Sequence, residues 1–335
     1  MMKTCITSSY LHTYGFEEGL KRMKSHGYDA LDYGGLCHTE DKIFHVSESE
    51  FAATLKRERE IIEANGLFVN QTHGAWRWPA MDFSEYDRAE RYAAMEKGVR
   101  GTALLGAPYF VIHCIMPFGE NNPEHKEELW QMNVEYFSRL CKVAEEVGVT
   151  ICFENLPFTS LPLSRWNETL EFVRLMNTPT MKMCLDTGHA AVYGDSPADA
   201  VRAIGKDLLA TLHVHDNNGV SDFHWRPGEG VIDWADFTKA LHEIGFEGFV
   251  VTDWKNVTSL VNKQFVAHDA DEATLLSAEA GNDMIMTSPE FYDSALRLVK
   301  EGKLDEKIID AAARHILNIK VRMGLFEQPE KTGKP

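Results

Sequence analysis

Imidazoles and carboxylates crowd one short stretch of the chain. His213, His215, Asp216, Asp222 and His224 fall between Leu208 and Gly230, in a segment punctuated by Gly219, Pro227, Gly228 and Gly230. Leu208, Leu209, Leu212 and Val214 form an apolar run that suits a buried strand, and His213 and His215, two apart, share one of its faces. Nitrogen and oxygen donors gathered at a strand's end are what a divalent cation requires. A polar surface loop has the same composition, so this stretch alone decides nothing. The other donors follow short apolar runs as well: His73, His113, Glu154, Asp186 with His189, and Asp253. Any one of them has an ordinary structural use, as a hydrogen-bonded core histidine or a helix cap. Their joint placement points to a cation, because buried unpaired carboxylates are costly.

The elements that must position these groups alternate along the chain. Apolar runs at 4–8, 28–33, 67–72, 109–113, 149–154, 181–186, 208–214 and 248–253 read as strands. Helices are expected between them. The one opening at Ser47 has a capping box to Glu50, a buried stripe of Phe51, Leu55, Ile61 and Ile62, and a stop at Gly66. Others run over 16–24, 84–105 and 165–176, through Trp130, Val134, Phe137, Cys141 and Ala144 to Gly148, from Ser196 and Pro197, and over 234–244 behind Asp233. Eight βα units with crossovers of this length predict parallel pairing and a (β/α)8 TIM barrel, whose chemistry sits at the C-terminal strand ends. Trp76, Arg77 and Trp78 after the third strand and Trp225 in the seventh loop are placed to wall a sugar, and Arg77 or Arg226 to meet a phosphate or carboxylate. Trp130, Trp166 and Trp234 lie in or beside helices and are expected in the core or between helices.

Composition narrows the partners. The 335 residues carry 34 Lys and Arg against 51 Asp and Glu, a formal charge of −17. That field disfavours nucleic acid and anionic membrane surfaces. No apolar run is long enough to span a bilayer, and the N-terminal stretch lacks the apolar core of a secretion signal. The six cysteines (Cys5, Cys37, Cys114, Cys141, Cys152 and Cys184) show no paired spacing, so a reduced, cytoplasmic protein is expected.

FENL at 153–156, CLDTGH at 184–189, LHVHDN at 212–217 and DFHWRPGEG at 222–230 resemble the xylose-isomerase-like barrel superfamily over about residues 1–253. That group includes sugar-phosphate isomerases and epimerases, inosose dehydratases and endonuclease IV. The resemblance implies one divalent ion, Mn²⁺ or Mg²⁺ with Zn²⁺ as the alternative, held by Glu154, Asp186, His213 and Asp253. Asp253 departs from the pattern, which has the longer Glu there. Glu154 and Asp253 would move a proton on a ketose, or a polyol-derived ketone, through an enediolate, and His189 would orient its oxygens. His73, His113, Trp76, Trp225, His224 and Arg226 would bind the substrate. The endonuclease pattern instead makes His73, His113, His189, Asp222 and His224 further zinc ligands, of which His189, Asp222 and His224 are carried as additional metal ligands. Sugar isomerase or epimerase is the expected activity, with a small carbohydrate as partner. Inosose dehydration, a zinc phosphodiesterase and a barrel with a disrupted site stay open, as does a homo-oligomer.

From residue 245 the chain resembles another family. GFEGFVVTDW, AGNDMIMTSPEFYDSALRLVKEGKL and AARHILNIKVRMGLFEQP are similar, over 245–329, to the end of the catalytic barrel of family-3 glycoside hydrolases. The resemblance places that family's nucleophile at Asp253. Its Lys-His pair has no counterpart in residues 1–249, so glycoside hydrolysis is not expected. The expected organisation is a barrel over 1–253 and an extra C-terminal βαα segment over 254–335, with a ninth strand at 283–287 and helices at 288–300 and 305–323 that pack on the barrel or complete it.

Overall fold

Seven short strands stand side by side in chain order, all parallel: β1 (Cys5–Thr7), β2 (Ala30–Tyr33), β3 (Phe68–His73), β4 (Tyr109–Ile112), β5 (Thr150–Glu154), β6 (Met181–Asp186) and β7 (Leu209–His213). This computed structural model describes residues 5–8, 11, 14–25, 28–76, 82–121, 123–225, 227–246, 267–279 and 290–322. A helix crosses over between each successive pair of strands: α1 (Phe16–Ser25), α2 (Glu48–Ala64), α3 (Glu85–Leu104), α4 (Lys126–Val147), α5 (Trp166–Met176) and, between β6 and β7, α6 (Thr187–Val192) with α7 (Pro197–Ile204). Sequential neighbours joined by helical crossovers are the α/β architecture of a TIM barrel. The eighth expected strand, 248–253, and the ninth, 283–287, lie outside the described residues, as does Asp253.

The strands form because their side chains are apolar in nearly continuous runs, as parallel strands covered on both faces must be. Phe110, Val111 and Ile112, then Ile151, Cys152 and Phe153, then Met183, Cys184 and Leu185 are all buried. Behind the sheet, Phe137, Phe153 and Phe172 meet at centroid distances of 4.7–6.1 Å, and Trp130 adds its edge to Phe172 at 5.8 Å. Trp130 is therefore interhelical packing, as expected. Cys114, Cys152 and Cys184 are buried, and burial pushes the Cys114 thiol up to about 12, so these sulfurs pack rather than react.

Helix starts follow the side-chain chemistry. Ser47 accepts a hydrogen bond from the Glu50 amide, and Phe51, Leu55 and Ile62 are buried on α2 while Ile61 is half-buried. The reciprocal capping box forms one helix later, where Ser84 and Asp87 satisfy each other's amides. Ser196 caps α7 with Pro197 in its first turn, and Gly148 closes α4 at φ 72°.

Two buried polar ties fix the loops above the strands. Arg91 on α3 pairs with Asp82 and donates from Nε to the Ala75 carbonyl, while Asp82 accepts from the Met116 amide at 2.8 Å. Asn133 on α4 accepts from the Ile115 amide and donates to its carbonyl. The segments that lead on from His73 and His113 are thus anchored from behind.

The chain forms two compact units that divide between Asp233 and Trp234. The boundary expected at 253 lies among residues that are not described. The second unit contains α8 (Trp234–Glu243), α9 (Ala270–Glu279), α10 (Glu290–Lys300) and α11 (Glu306–Arg322), with Ala278, Ala295, Leu298 and Leu304 as a small buried core. Its last two helices match the expected ones within two residues at each end; α9 was not anticipated.

Candidate metal and substrate site

Strand register brings three donors together. Glu154 ends β5, Asp186 ends β6 and His213 ends β7, and the pairing sets Asp186 beside His213. One donor atom from each lies within 4.8 Å of the others. Glu154 is 3 % exposed and Asp186 1 %. Two carboxylates so deeply buried and so close repel each other, and a cation seated between them relieves both the repulsion and the lost hydration. The oxygen and nitrogen donors suit Mn²⁺, Mg²⁺ or Zn²⁺.

Each carboxylate is also held by imidazole. Glu154 Oε1 lies 2.8 Å from His213 Nδ1, and Oε2 lies 3.3 Å from His73 Nε2. Burial alone would raise the Glu154 carboxyl, but His213 beside it, with hydrogen bonds from both rings, holds it well below the usual carboxylate range. His213 moves the opposite way: burial opposes its charge, yet Glu154 and Asp32 raise it well above an ordinary histidine. Asp186 caps the short helix that follows it, accepting from the His189 amide at 2.8 Å, and faces His215 Nε2 at 2.9 Å. Asn155 closes the gap between the two strand ends, with its amide bonded to both the N–H and the carbonyl of Asp186.

A second group joins the short helix α6 to the loop after β7. His189, His215, Asp222 and His224 bring donor atoms within 4.8 Å of one another. Asp222 Oδ2 lies 3.0 Å from His224 Nε2 and 3.3 Å from His189 Nε2, while its Oδ1 is buried with no hydrogen bond among the described residues. The rings of His215 and His224 stack at 3.9 Å, 7° from parallel. His224 adopts φ 50°, a conformation unusual for a residue with a side chain. Burial would raise Asp222, but hydrogen bonds from His189 and His224 carry it well below its ordinary value. His189, despite burial, is raised to about 9 by Asp186, Asp222 and Glu154.

The motif glycines have a direct cause. A Cβ on Gly188 would lie 2.0 Å from the His215 ring, and one on Gly230 would lie 2.0 Å from the Asn217 carbonyl oxygen and 2.2 Å from Asp216 Oδ1. Asp216 turns its oxygens to backbone amides. It is fully buried and accepts from the amides of Asn217, Gly228 and Ile232, which fold the loop over the site.

The expected substrate residues divide. His73 and His113 face each other at 5.7 Å, and the Trp76 ring meets His113 edge-on at 5.0 Å, so these three form one wall. Burial and the nearby Arg91 hold His113 well below the usual imidazole range, which keeps it neutral. Trp225 stacks on Phe223 at 5.2 Å and pairs its backbone with Asp216. His224 belongs to the second donor group. Arg77, Trp78, Arg226 and Asp253 lie outside the described residues. The sequence reading missed Asp32, Gln71 and Cys37, and it left His215 without a role. Asp32 Oδ2 is 3.5 Å and Gln71 Nε2 2.9 Å from His213 Nε2, and Cys37 Sγ is 3.6 Å from His73 Nδ1. Asp32 carried a weaker form of the same signal, an acid one residue short of the end of its strand.

Comparison with known proteins bears on the fold and the family. The family model described as xylose isomerase-like TIM barrel matches residues 20–295. A D-psicose 3-epimerase of Ruminiclostridium cellulolyticum is 34 % identical over 143 residues, 42 % of this chain, so the match spans about half the length (47 %) of that relative. A fructoselysine 3-epimerase of Shigella flexneri is 28 % identical over 273 residues, covering 78 % of this chain and 95 % of that one. Among solved structures, a D-psicose 3-epimerase crystallised with D-fructose superposes with TM-score 0.59 at 23 % identity, over 74 % of this chain and 83 % of that one. A lysosomal beta glucosidase of Dictyostelium discoideum is 38 % identical over 89 residues, which is 26 % of this chain and 11 % of that enzyme.

Proposed function

The chain belongs to the xylose isomerase-like TIM barrel family, and from that premise we propose that it is a divalent-metal-dependent isomerase or epimerase of a ketose or a polyol-derived ketone. The convergence of Glu154, Asp186 and His213 in one buried pocket carries this reading. These three, with Asp253 as the fourth, would hold Mn²⁺ or Mg²⁺. When bound, such an ion polarises a carbonyl and stabilises the negative charge that grows on its oxygen.

The chain's own residues supply the rest. Epimerisation beside a carbonyl removes a carbon-bound proton from one face and returns one on the other. Glu154, held anionic between two imidazoles, is the base on one side, and Asp253 is assigned the opposite side. His189, buried beside Asp222, positions a substrate oxygen. Trp76, His73 and His113 wall the sugar; neutral His113 donates or accepts a hydrogen bond without adding charge.

The test is exchange of a substrate carbon-bound proton with solvent deuterium across a panel of ketoses and inososes, with Mn²⁺ supplied. Wild type should exchange, and Glu154→Gln should lose the exchange together with most of its metal affinity. An active wild type whose Glu154→Gln variant exchanges equally well would overturn the assignment.

The second donor group favours one other reading, a zinc phosphodiesterase with several ions. Metal content separates the two: one Mn or Mg per chain supports the epimerase, whereas three Zn with cleavage of abasic DNA supports the phosphodiesterase. The segment from residue 254 onward is assigned as a glycoside-hydrolase-like addition without glycosidase chemistry. A retaining glycosidase needs a second carboxyl about 5 Å from its nucleophile, together with sugar-positioning residues that the matched segment does not bring.

A further inference from the structure

Asp32 is a charge without an evident purpose in the packing. It is the third of four residues in β2, in register beside Gln71 of β3. Its side chain is 20 % exposed, and its Oδ1 is buried with no hydrogen-bond partner among the described residues. Its other oxygen faces His213 Nε2 at 3.5 Å. The far nitrogen of the same ring, Nδ1, points at Glu154 Oε1 from 2.8 Å.

Gln71 competes for that Nε2. Its carbonyl oxygen is taken by the Thr211 hydroxyl and by Asn70 Nδ2, which turns its amide nitrogen toward the ring at 2.9 Å. An amide N–H can only donate, so Gln71 offers no acceptor to a proton on the His213 Nε2. A histidine that offers Nδ1 to a cation must carry its proton on Nε2, and that proton needs an acceptor. Among the described groups around Nε2, the Asp32 carboxylate is that acceptor.

We propose that Asp32 is a positioning residue: it binds the Nε2 proton of His213, turning the ring from a hydrogen-bond donor to Glu154 into a metal ligand through Nδ1. The inference rests on the metal reading above and assigns Asp32 no contact with substrate. It also accounts for an acidic side chain left half-satisfied beside a strand-end histidine.

Titration of the metal-depleted full chain with Mn²⁺, followed by calorimetry, tests it. Asp32→Ala should weaken binding by about 10–100-fold, the usual effect of losing a ligand's outer partner. Asp32→Asn, isosteric and safe for folding, keeps an accepting oxygen without the charge and should weaken it several-fold. Ring ¹⁵N spectra of the Mg²⁺-loaded chain should show a proton on His213 Nε2 in wild type and its faster exchange with water in both variants, a change that general loosening of β2 would not confine to one ring. If both variants bind Mn²⁺ like wild type while His213→Ala binds poorly, Asp32 has no such role and the metal reading survives. If His213→Ala and Glu154→Gln also bind like wild type, the metal reading falls and takes this inference with it.

Discussion

Two donor groups lie at the same end of the sheet, and they are built differently. Glu154, Asp186 and His213 are the terminal residues of three adjacent strands, so backbone pairing sets their spacing. His189, His215, Asp222 and His224 come from a six-residue helix and a loop, and their convergence depends on a left-handed His224 and a glycine under the His215 ring. The first group is fixed by the fold's regular part, and the second by local conformations that one substitution can undo. A site of the first kind is suited to hold an ion in one geometry. A site of the second kind is suited to adjust around a ligand.

The sharpest way to break the comparison is to remove one acid from each group. Asp186→Ala should reduce Mn²⁺ affinity by about 100-fold or more, since it deletes a ligand, whereas Asp222→Ala should change it by less than about 10-fold. Calorimetric titration of both variants decides this, and equal losses would mean that the two groups bind as one centre. Next in size is Gly188→Ala. The added methyl group would overlap the His215 ring at 2.0 Å, so the ring must leave. A loss of about 1–3 kcal/mol in denaturant unfolding is expected, with the second group dispersed and the first largely intact.

Acidity offers a third test. In the metal-free chain His189 is raised to about 9, and His73 and His213 are also raised. A raised imidazole stabilises the fold fully below its unfolded value, near 6.5, and that contribution fades as pH climbs through the folded one. Thermal stability in chelator should therefore fall between about pH 6.5 and 9. Asp222 and Glu154, both held low, act in the other direction: their stabilisation is present above the ordinary carboxylate range and is lost in acid. With a divalent ion at the first group the His213 share of the alkaline loss should vanish, because the ion takes the place of its proton, while the His189 share remains. The smallest effect is expected from His224→Gly. The imidazole is 63 % exposed and its backbone is strained, so glycine should cost less than about 0.5 kcal/mol in unfolding and leave Mn²⁺ affinity at the first group unchanged.

Much of the first group was legible in the sequence because a buried parallel strand announces itself as a short apolar run, and the donors are what stops each run. The same signal stood at Asp32 and went unused, since nothing in one dimension reveals that β2 and β5 both approach the imidazole that ends β7. His213 and His215 show the limit more clearly. Two residues apart, they read as one pair on one face, and they do share a site. Yet β7 ends at His213, so His213 meets Glu154 while His215 meets Asp186. Trp225, expected from the sequence to wall a sugar, stacks its ring on Phe223, and both stand among the exposed apolar residues of that loop. Helix α9 was missed because its sequence, ADEATLLSAE, buries only small residues (Ala273, Thr274, Ser277 and Ala278) and gives no strong apolar period.

Asn155 extends the pairing of β5 and β6 past the point where both strands formally stop, by giving Asp186 a side-chain substitute for one more backbone partner on each side. Strand ends ordinarily open and close quickly, exposing their amides to solvent exchange. Here the Asp186 N–H should exchange with deuterium as slowly as amides in the middle of the sheet, and Glu154 and Asp186 should keep their separation through the local openings that loosen the loops around them.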